Sequence, residues 1–424
     1  MSSKPQPPAI PNFGELIEPF LDGKKLVSYE SEYFTAPGDN YGSTIFKVVA
    51  TVQNANGTEK TNLDLIAKLL PENEFFRQMF QPERTFRTEK HCYMKIAPDF
   101  IRLQKEAGLS DNEMTNVFAK CYGGRISLKK NADKVDSGAA LILDNLATAG
   151  YVMGDRLKGF DYETTVVIIR DLARFHATCV AYRTKYPEEF EKYSKSFLKP
   201  FAVDHALPED MRTQMIEDNL NIMKNLPGVN DELFEKIKIA FSLSDEHVNN
   251  LEPRPDSLFT AIAHNDFWTN NMMIRYDAQG KPLDMKMVDF QIATYDSLIH
   301  DLVFFLALSV QTDIMKTKFD DFVEQYYNQF ITWLERLGCD TTNYSFEKFD
   351  IELHRVAIVQ LEHIATMHKV LSMRKDKLPD VLDMDGTQMF DKNLLHDNFY
   401  DKLWNIVELF QEKGFLSTQL STHF

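Results

Sequence analysis

Apolar and polar residues alternate along two early segments of the chain, and this alternation predicts β-strands. The first segment spans residues 33–49 and is interrupted at 37–43 by Pro-Gly-Asp-Asn-Tyr-Gly-Ser, a stretch typical of a turn. The second covers residues 63–69, and a continuous apolar run at 139–143 predicts a third, buried strand. The N-terminal part is therefore predicted to be rich in β-structure.

Helical spacing of apolar residues appears between and after these strands. Phe86, Glu89 and Tyr93 recur at i, i+3 and i+7, which predicts a helix with Glu89 on its apolar face. A longer stripe, predicting a core helix between Tyr162 and Tyr182, is formed by Val166, Ile169, Leu172, Ala173 and Val180. His176 falls on that stripe, and we interpret it as a hydrogen-bonded core histidine rather than as a base or ligand.

These patterns predict an α+β protein of two lobes. We expect a flexible N-terminus at residues 1–14, a small β-rich N-lobe at 15–146, and a mainly helical C-lobe at 147–424. With 424 residues, of which 44% are hydrophobic, the chain is long enough for two cores.

One predicted loop contains several residues whose types and spacing suit catalysis. His264, Asp266 and Asn271 form an H-x-D-x(4)-N pattern, and Asp289 follows eighteen residues later within an apolar run. Phosphoryl transfer needs a carboxylate that orients and deprotonates a hydroxyl, which we assign to Asp266, and oxygen ligands for Mg²⁺, which we assign to Asn271 and Asp289. Residues 283–292 are predicted to be a buried strand that holds Asp289 rigidly.

A phosphate-binding lysine is predicted upstream. Lys68 lies in Ile-Ala-Lys-Leu, which resembles the strand motif whose lysine grips the α and β phosphates. Such a lysine needs a carboxylate partner, for which we prefer Glu89, with Glu83 and Glu74 as competitors.

Two further segments are predicted to contact ATP. Backbone amides from Tyr41 through Gly42 and Ser43 to Thr44, with the Ser43 hydroxyl as a further donor, are expected to cap the β-phosphate. The adenine edge is assigned to the backbone carbonyl of Asp144 and the amide of Leu146, before a hinge at residues 147–150.

The order of these motifs resembles the ecdysteroid kinase-like family of arthropods, a branch of the aminoglycoside/choline phosphotransferase group with a protein-kinase-like fold. The similarity covers about residues 30–370 and is carried by G-D-N-Y-G-S, I-A-K, L-D-N-L, L-A-R-F-H-A, H-N-D-F-W-T-N-N, V-D-F-Q and H-D-L. Asp144-Asn145 departs from the family, which more often has Glu-Asp there.

The resemblance implies an ATP- and Mg²⁺-dependent kinase that phosphorylates a hydroxyl of a small, lipophilic alcohol such as an ecdysteroid or a xenobiotic. It implies the same roles for Asp266, Asn271, Asp289, Lys68 and Glu89. By the same resemblance, His264 pins the catalytic loop to neighbouring backbone, and Asp301 accepts hydrogen bonds from loop amides near His264.

The acceptor is the least specified part of this prediction. Phe267 and Trp268 belong either to the packing or to the acceptor cleft, and several methionines near the C-terminus suit an adaptable apolar pocket. The alternatives are a choline- or ethanolamine-type kinase and a catalytically silent ligand carrier. A silent relative usually lacks the base or the metal ligands, and this chain retains them.

Charge and composition narrow the partners. A formal net charge of −16 argues against nucleic acid and anionic membranes, so a small-molecule acceptor without an obligate protein partner is expected. The four cysteines lack a C-x-x-C pattern and are expected to stay reduced, and no apolar run reaches ~18 residues, which together predict a cytoplasmic protein. His354, His363 and His368 do not share one helical face, so no metal site is predicted from them.

Overall fold

The computed structural model describes residues 9–34, 42–196, 208–249, 257–378, 384, 388 and 391–417. The strands are β1 Lys25–Tyr33, β2 Thr44–Gln53, β3 Lys60–Leu69, β4 Cys121–Arg125, β5 Ala140–Asp144, β6 Tyr151–Met153, β7 Thr260–Ala263, β8 Met272–Tyr276, β9 Pro282–Met287 and β10 Thr294–Ser297. The α-helices are α1 Phe13–Ile17, α2 Glu74–Phe80, α3 Pro82–His91, α4 Ala97–Glu106, α5 Tyr162–Lys185, α6 Pro187–Ser196, α7 Glu209–Lys224, α8 Asp231–Asn249, α9 Ile299–Ser309, α10 Thr312–Arg336, α11 Phe346–Leu371 and α12 Phe399–Glu412.

The N-terminal strands form one antiparallel sheet in the order β1-β2-β3-β5-β4. Alternation decides its two faces, because successive side chains of a strand point to opposite sides. Along β3, Ala67 is buried in a core with Phe13 and Ile17 of α1, whereas Lys68 pairs with Leu141 of β5 on the face toward α3. The alternation of side chains along β3 therefore places Ala67 in the core against α1 and directs Lys68 to the face toward α3.

The C-terminal part is organised around α5, which packs against α10. Four residues of its apolar stripe are buried, as the sequence predicted, and Val166 is half-buried. The helix is capped by Asp161, whose side chain accepts a hydrogen bond from the Thr164 amide. Helix α9 is apolar on all sides, and every one of its residues is buried. A helix of that composition belongs in the centre of a domain.

Two small sheets interrupt the helices and position the loop that starts at His264. Strand β7 pairs with β10, while β8 lies between β6 and β9. The loop leaves β7 and re-enters the structure as β8, so both of its ends are fixed by strand pairing. The predicted α+β class, with a β-rich, antiparallel N-lobe and a mainly helical C-lobe, is confirmed.

The predicted strand at residues 283–292 is wrong in its second half. β9 ends at Met287, and Asp289 adopts a left-handed backbone with φ of +67° before a 3-10 turn at Phe290–Ile292. Met285, Met287 and Phe290 of this segment are buried, but apolar content alone does not distinguish a strand from a buried turn. No helix within the described ranges is long and apolar enough to cross a bilayer.

Candidate active site

The part of the loop that carries the Asp266 carboxylate, here called its front, is held by the side-chain amide of Asn271. Asn271 Nδ2 donates to the Asp266 carboxylate at 2.6 Å and to the Asp266 carbonyl at 2.9 Å. The Asn271 carbonyl in turn accepts from the Val288 amide at 3.0 Å, which ties the loop to the segment before Asp289. Asp266 is half-buried. Burial, followed by the negative charge of Asp289, raises the pKa of Asp266 to about 8, against the lowering effect of the Asn271 hydrogen bond.

Lys68 joins the two lobes. Its Nζ lies 2.7 Å from Glu89 Oε1 on α3 and 3.1 Å from Asp289 Oδ1. Burial alone would lower the pKa of Lys68, but the charges of Asp289 and Glu89 outweigh it and leave the pKa above its usual value. The three side chains come from positions 68, 89 and 289, and the fold brings both carboxylates into contact with the lysine.

The competing carboxylates are engaged elsewhere. Glu83 Oε2 accepts from the Val135 amide at 2.6 Å and its other oxygen pairs with Arg87, while Glu74 lies 3.9 Å from Arg77. Glu89 is the carboxylate that α3 buries toward the sheet, with 2% exposure. Burial raises the pKa of Glu89 to about 7, and hydrogen bonds from Lys68 and the Phe290 amide favour its charged form.

Phe290 locks the turn that presents Asp289. Its ring stacks on Phe118 with centroids 4.7 Å apart and contacts His264 at 4.7 Å and Tyr93 of the turn after α3 at 5.6 Å. A left-handed conformation is unfavourable for aspartate and persists where surrounding contacts impose it. The buried aromatic cluster supplies that constraint.

The part of the loop at the His264 and Asn265 amides, here called its back, is anchored by Asp301, which is 1% exposed. Its two oxygens accept from the amides of His264 and Asn265, both at 2.7 Å, and His176 Nε2 lies 3.0 Å from the carboxylate. Burial would raise the pKa of Asp301, but these donors and the nearby histidines lower it. His264 Nε2 also donates to the Val288 carbonyl at 3.0 Å, with burial lowering the pKa of His264.

His176 is the core histidine that its helical position predicts, and it also contacts the anchor. Its ring is fully buried between Asp301 and the Tyr326 hydroxyl, which lies 2.6 Å from Nδ1. The link from α5 through Asp301 to the loop could not be read from the sequence, because it joins positions 125 residues apart.

The segment predicted to cap the β-phosphate lies partly outside the residues that the structure describes. Tyr41 lies outside the described residues, whereas Gly42 and the buried Ser43 lie just before β2. A Cβ atom built on Gly42 would be 2.4 Å from Gln291 Oε1, so a side chain at this position would displace the Gln291 side chain of the V-D-F-Q segment. Sequence reasoning missed Gln291, although its place within that motif was a usable signal.

The hinge residues lie at the end of β5. Asp144 pairs with Leu65, three residues along the ladder from the Lys68–Leu141 pair, a separation of roughly 10 Å along the strands. The Asn145 amide donates to the Asp64 carbonyl at 3.0 Å, and Leu146 is buried. The structure thus aligns the proposed adenine and phosphate positions along one sheet.

Phe267 does not line a cleft. It is fully buried against Phe305 of α9 and His264, so it is a packing residue, whereas Trp268 is half-buried. Met384 packs with Met79 and Met215 in a small cluster that bridges α2 and α7. These side chains serve packing between elements, which removes part of the reason for expecting a methionine-lined pocket.

Asn271 and Asp289 fit a magnesium site by their chemistry. The Asn271 nitrogen is occupied by Asp266, which leaves its amide oxygen as the atom for a cation, and the half-buried Asp289 adds a carboxylate. Oxygen donors of these two kinds are the ones Mg²⁺ prefers.

The family model described as the ecdysteroid kinase-like family matches residues 37–339. No curated protein matches the chain in sequence. Among solved structures, a choline kinase from Cryptosporidium parvum is similar with 10% identity over 95% of this chain and 94% of that chain, at a TM-score of 0.41. An ethanolamine kinase from Plasmodium vivax has 11% identity over 91% and 84% of the two chains, at a TM-score of 0.38.

A third similar structure is an amicoumacin kinase, with 13% identity over 93% of this chain and 92% of that chain and a TM-score of 0.42. The family match includes the loop from His264 to Asn271, the Asp289 segment and Lys68, and it ends beside α10. Assignment of the family rests on this sequence match.

Proposed function

We propose that this chain, which belongs to the ecdysteroid kinase-like family, uses Mg·ATP to phosphorylate a hydroxyl of a small lipophilic alcohol. Family membership makes the chain a small-molecule phosphotransferase. The nucleotide, the metal and the class of acceptor are the added steps. An ecdysteroid or a steroid-like xenobiotic is the acceptor that the family description favours.

In the proposed reaction, the acceptor oxygen forms a bond to the γ-phosphorus while the bond from that phosphorus to the β–γ bridging oxygen breaks. Asp266 takes the hydroxyl proton, and ADP leaves. A general base works best when its pKa lies near the working pH, and a pKa of about 8 meets that condition. The Asn271 amide, donating at 2.6 Å, fixes the direction of the carboxylate.

Lys68 supplies positive charge to the phosphates, and Glu89 fixes its position through the 2.7 Å contact. Asn271 and Asp289 would hold Mg²⁺, which when bound neutralises charge on the polyphosphate. Gly42 and Ser43, with Tyr41 before them, are proposed to cover the phosphates, and Asp144 and Leu146 to contact adenine. His264 and Asp301 support the loop from behind.

The strongest support is the contact of one lysine with both Glu89 and Asp289. A buried lysine and two carboxylates would be a costly arrangement for stability alone, because burying charges carries a large desolvation penalty. In a nucleotide site the same arrangement is useful, since polyphosphate and Mg²⁺ add charges of both signs at this point. Perturbed ionisable groups of this kind cluster at functional sites.

The lipophilic acceptor is supported by the family and not by the aromatic and methionine residues that pack in the cores. The net charge of −16 would suit a cationic acceptor, but surface carboxylates favour solubility and do not report the potential inside one cleft. We also propose a cytosolic location. All four cysteines are free thiols in the structure, which suits a reducing compartment.

Acceptor competition tests this proposal. With saturating Mg·ATP, ADP formation is measured for 20-hydroxyecdysone, a cholesterol-like alcohol, choline and an aminoglycoside, and is repeated at raised salt. We expect turnover with the steroid alcohols that depends weakly on salt. Turnover confined to choline or the aminoglycoside, with strong loss at high salt, would overturn the lipophilic acceptor, and no turnover with any compound in the presence of bound ATP would favour a silent carrier.

A further inference from the structure

Two histidines and an aspartate converge outside the proposed active site. His247 lies in the last turns of α8, Asp296 in β10 and His300 in the first turn of α9. One ligand atom from each lies within 4.8 Å of the other two. The three come from separate elements, so the fold rather than local spacing assembles them.

The contacts among these side chains are too long for ordinary pairing. His300 Nε2 is 3.6 Å from Asp296 Oδ2, and His247 Nε2 is 3.5 Å from the same oxygen. Hydrogen bonds between nitrogen and oxygen are usually 2.7–3.2 Å. The arrangement therefore leaves a gap between the imidazoles and the carboxylate.

One of these nitrogens is buried without a hydrogen-bond partner in the described part of the chain. His300 has a side-chain exposure of 3%, and its Nε2 points toward Asp296 across the gap. The other ring nitrogen, Nδ1, lies 2.5 Å from the side-chain nitrogen of Gln360 on α11. Leaving a buried polar atom unpaired is costly, and such an atom calls for a missing ligand.

Two of the three ligand separations match a tetrahedral metal centre, and the third lies within 4.8 Å. Zinc binds imidazole nitrogen and carboxylate oxygen at roughly 2.0–2.2 Å, which places two ligands of a tetrahedron roughly 3.3–3.6 Å apart. Both ligand-to-carboxylate distances, 3.5 and 3.6 Å, are within about 0.2 Å of the centre of that range. Two imidazoles and one carboxylate are also a donor set that zinc accepts.

We propose that His247, Asp296 and His300 bind one Zn²⁺ ion, with the fourth position open to water or a small ligand. The site is separate from Asn271 and Asp289, and its imidazoles suit a softer cation than Mg²⁺. The Gln360 amide, turned so that its oxygen accepts from Nδ1–H, fixes His300 with Nε2 toward the metal, as partners of zinc-bound histidines commonly do. Arg355, a nearby cation, is neutralised by Glu352 at 2.9 Å.

The ion would connect α8 to the supports of the catalytic loop. β10 pairs with β7, which leads directly into His264, and His300 precedes Asp301 in α9. Zinc would thus join α8, which precedes the catalytic loop in the chain, to β10 and α9. β10 pairs with the strand that leads into the loop, and α9 carries Asp301, the carboxylate that fixes the loop. The role is one of positioning, because the three ligands lie on α8, β10 and α9 and not on the catalytic loop.

Metal binding is measured on the full chain without a histidine tag, after chelator treatment and without nucleotide. We expect one Zn²⁺ per chain by titration calorimetry and by elemental analysis, retained in a large excess of Mg²⁺. Co²⁺ in place of Zn²⁺ is expected to give the visible absorption bands of a four- or five-coordinate site. An upward shift of the melting temperature with Zn²⁺ is expected because the ion binds the folded state.

The decisive variant is His247→Ala, since this side chain is 21% exposed and its removal leaves the buried part of the site intact. His354→Ala is the matched control. It has the same 21% exposure and lies 3.7 Å from Asp350, but it has no third ligand within the described residues. We expect His247→Ala to lose Zn²⁺ and the Co²⁺ bands, and His354→Ala to keep both.

Absence of stoichiometric Zn²⁺ binding in the unmodified protein would overturn the proposal. Equal loss or equal retention of the metal in the two variants would do the same. These readouts do not use turnover, so they are independent of the proposed kinase reaction.

Discussion

Asp266 at the front of the catalytic loop and Asp301 at its back are both poorly solvated, yet their pKa values shift in opposite directions. At the back, Asp301 receives two backbone amides at 2.7 Å and lies beside His176, and these interactions lower its pKa. At the front, Asp266 is held by the Asn271 amide and faces the negative charge of Asp289, and its pKa rises to about 8.

The comparison shows that the number and the charge of the neighbours, more than burial itself, decide what a carboxylate does. Asp301 favours its charged form, so its contribution to stability is present above the usual aspartate pKa and is lost as pH falls through its lowered value. The contribution of Asp266 to stability changes with pH in the opposite direction. Its ionisation costs stability progressively as pH rises from the usual value of 3.8 toward about 8.

The largest expected effect is on folding, at the back of the loop. Asp301→Asn replaces one acceptor oxygen with a donor that faces an amide, and breaking a buried charged network of this kind typically costs about 3–5 kcal/mol. Urea unfolding at neutral pH measures the loss. The matched control is Asp277→Asn on the β8–β9 turn, which keeps the Oδ1 acceptor for Gln279 and Lys281 and is expected to change stability by less than about 0.5 kcal/mol. If the two variants unfold alike, Asp301 is not the anchor.

The next effect concerns the metal at the front. Mg·ATP at roughly 100 times its dissociation constant is expected to stabilise the fold by about 2.7 kcal/mol, because it binds only the folded state. Asp289→Ala removes a carboxylate ligand and is expected to abolish the Mg²⁺-dependent part of this shift. Thermal unfolding with ATP, with and without Mg²⁺, measures it. An undiminished shift would assign the metal to another residue.

The third expected effect is on the pH dependence of turnover, about tenfold for each pH unit. Asp266 must be deprotonated to act as a base, so kcat/KM is expected to rise about tenfold per pH unit below about 8 and to level off above it. The profile of kcat is expected to level off at lower pH, because bound Mg²⁺ offsets the charge of Asp289 that helps to raise the pKa of Asp266. Profiles from pH 5.5 to 9.5 test both statements. A flat kcat/KM profile over this range contradicts the assignment of Asp266 as a base with a raised pKa.

Much of the front of the loop could be predicted from the sequence, because its residues lie in short motifs with fixed spacing. His264, Asp266 and Asn271 share one loop, and Lys68 occupies a strand position whose period directs it inward. The α+β class followed from alternation and helical stripes, whereas the protein-kinase-like fold was implied by the family resemblance. The left-handed turn at Asp289 could not be predicted, since the surrounding residues are as apolar as those of a buried strand.

The back of the loop was accessible only in part. Asp301 was found by resemblance, but its contact with His176 depends on the packing of α5 against α9, which no local pattern encodes. The cluster of His247, Asp296 and His300 was missed for the same reason, while a histidine triplet within α11 attracted attention through spacing alone. Phe267 adjoins Asp266 in sequence yet belongs to the core.

The most direct test of the account is turnover in Asp266→Asn, with Asp277→Asn as the control. General-base catalysis is worth roughly 10² or more, so turnover is expected to fall at least that far, while Mg·ATP affinity is unchanged because the base faces the acceptor. Stability at pH 9 is expected to equal or exceed that of the unmodified protein, since an unfavourable charge is removed. Near-normal turnover with unchanged Mg·ATP affinity would contradict the account and remove Asp266 from the reaction.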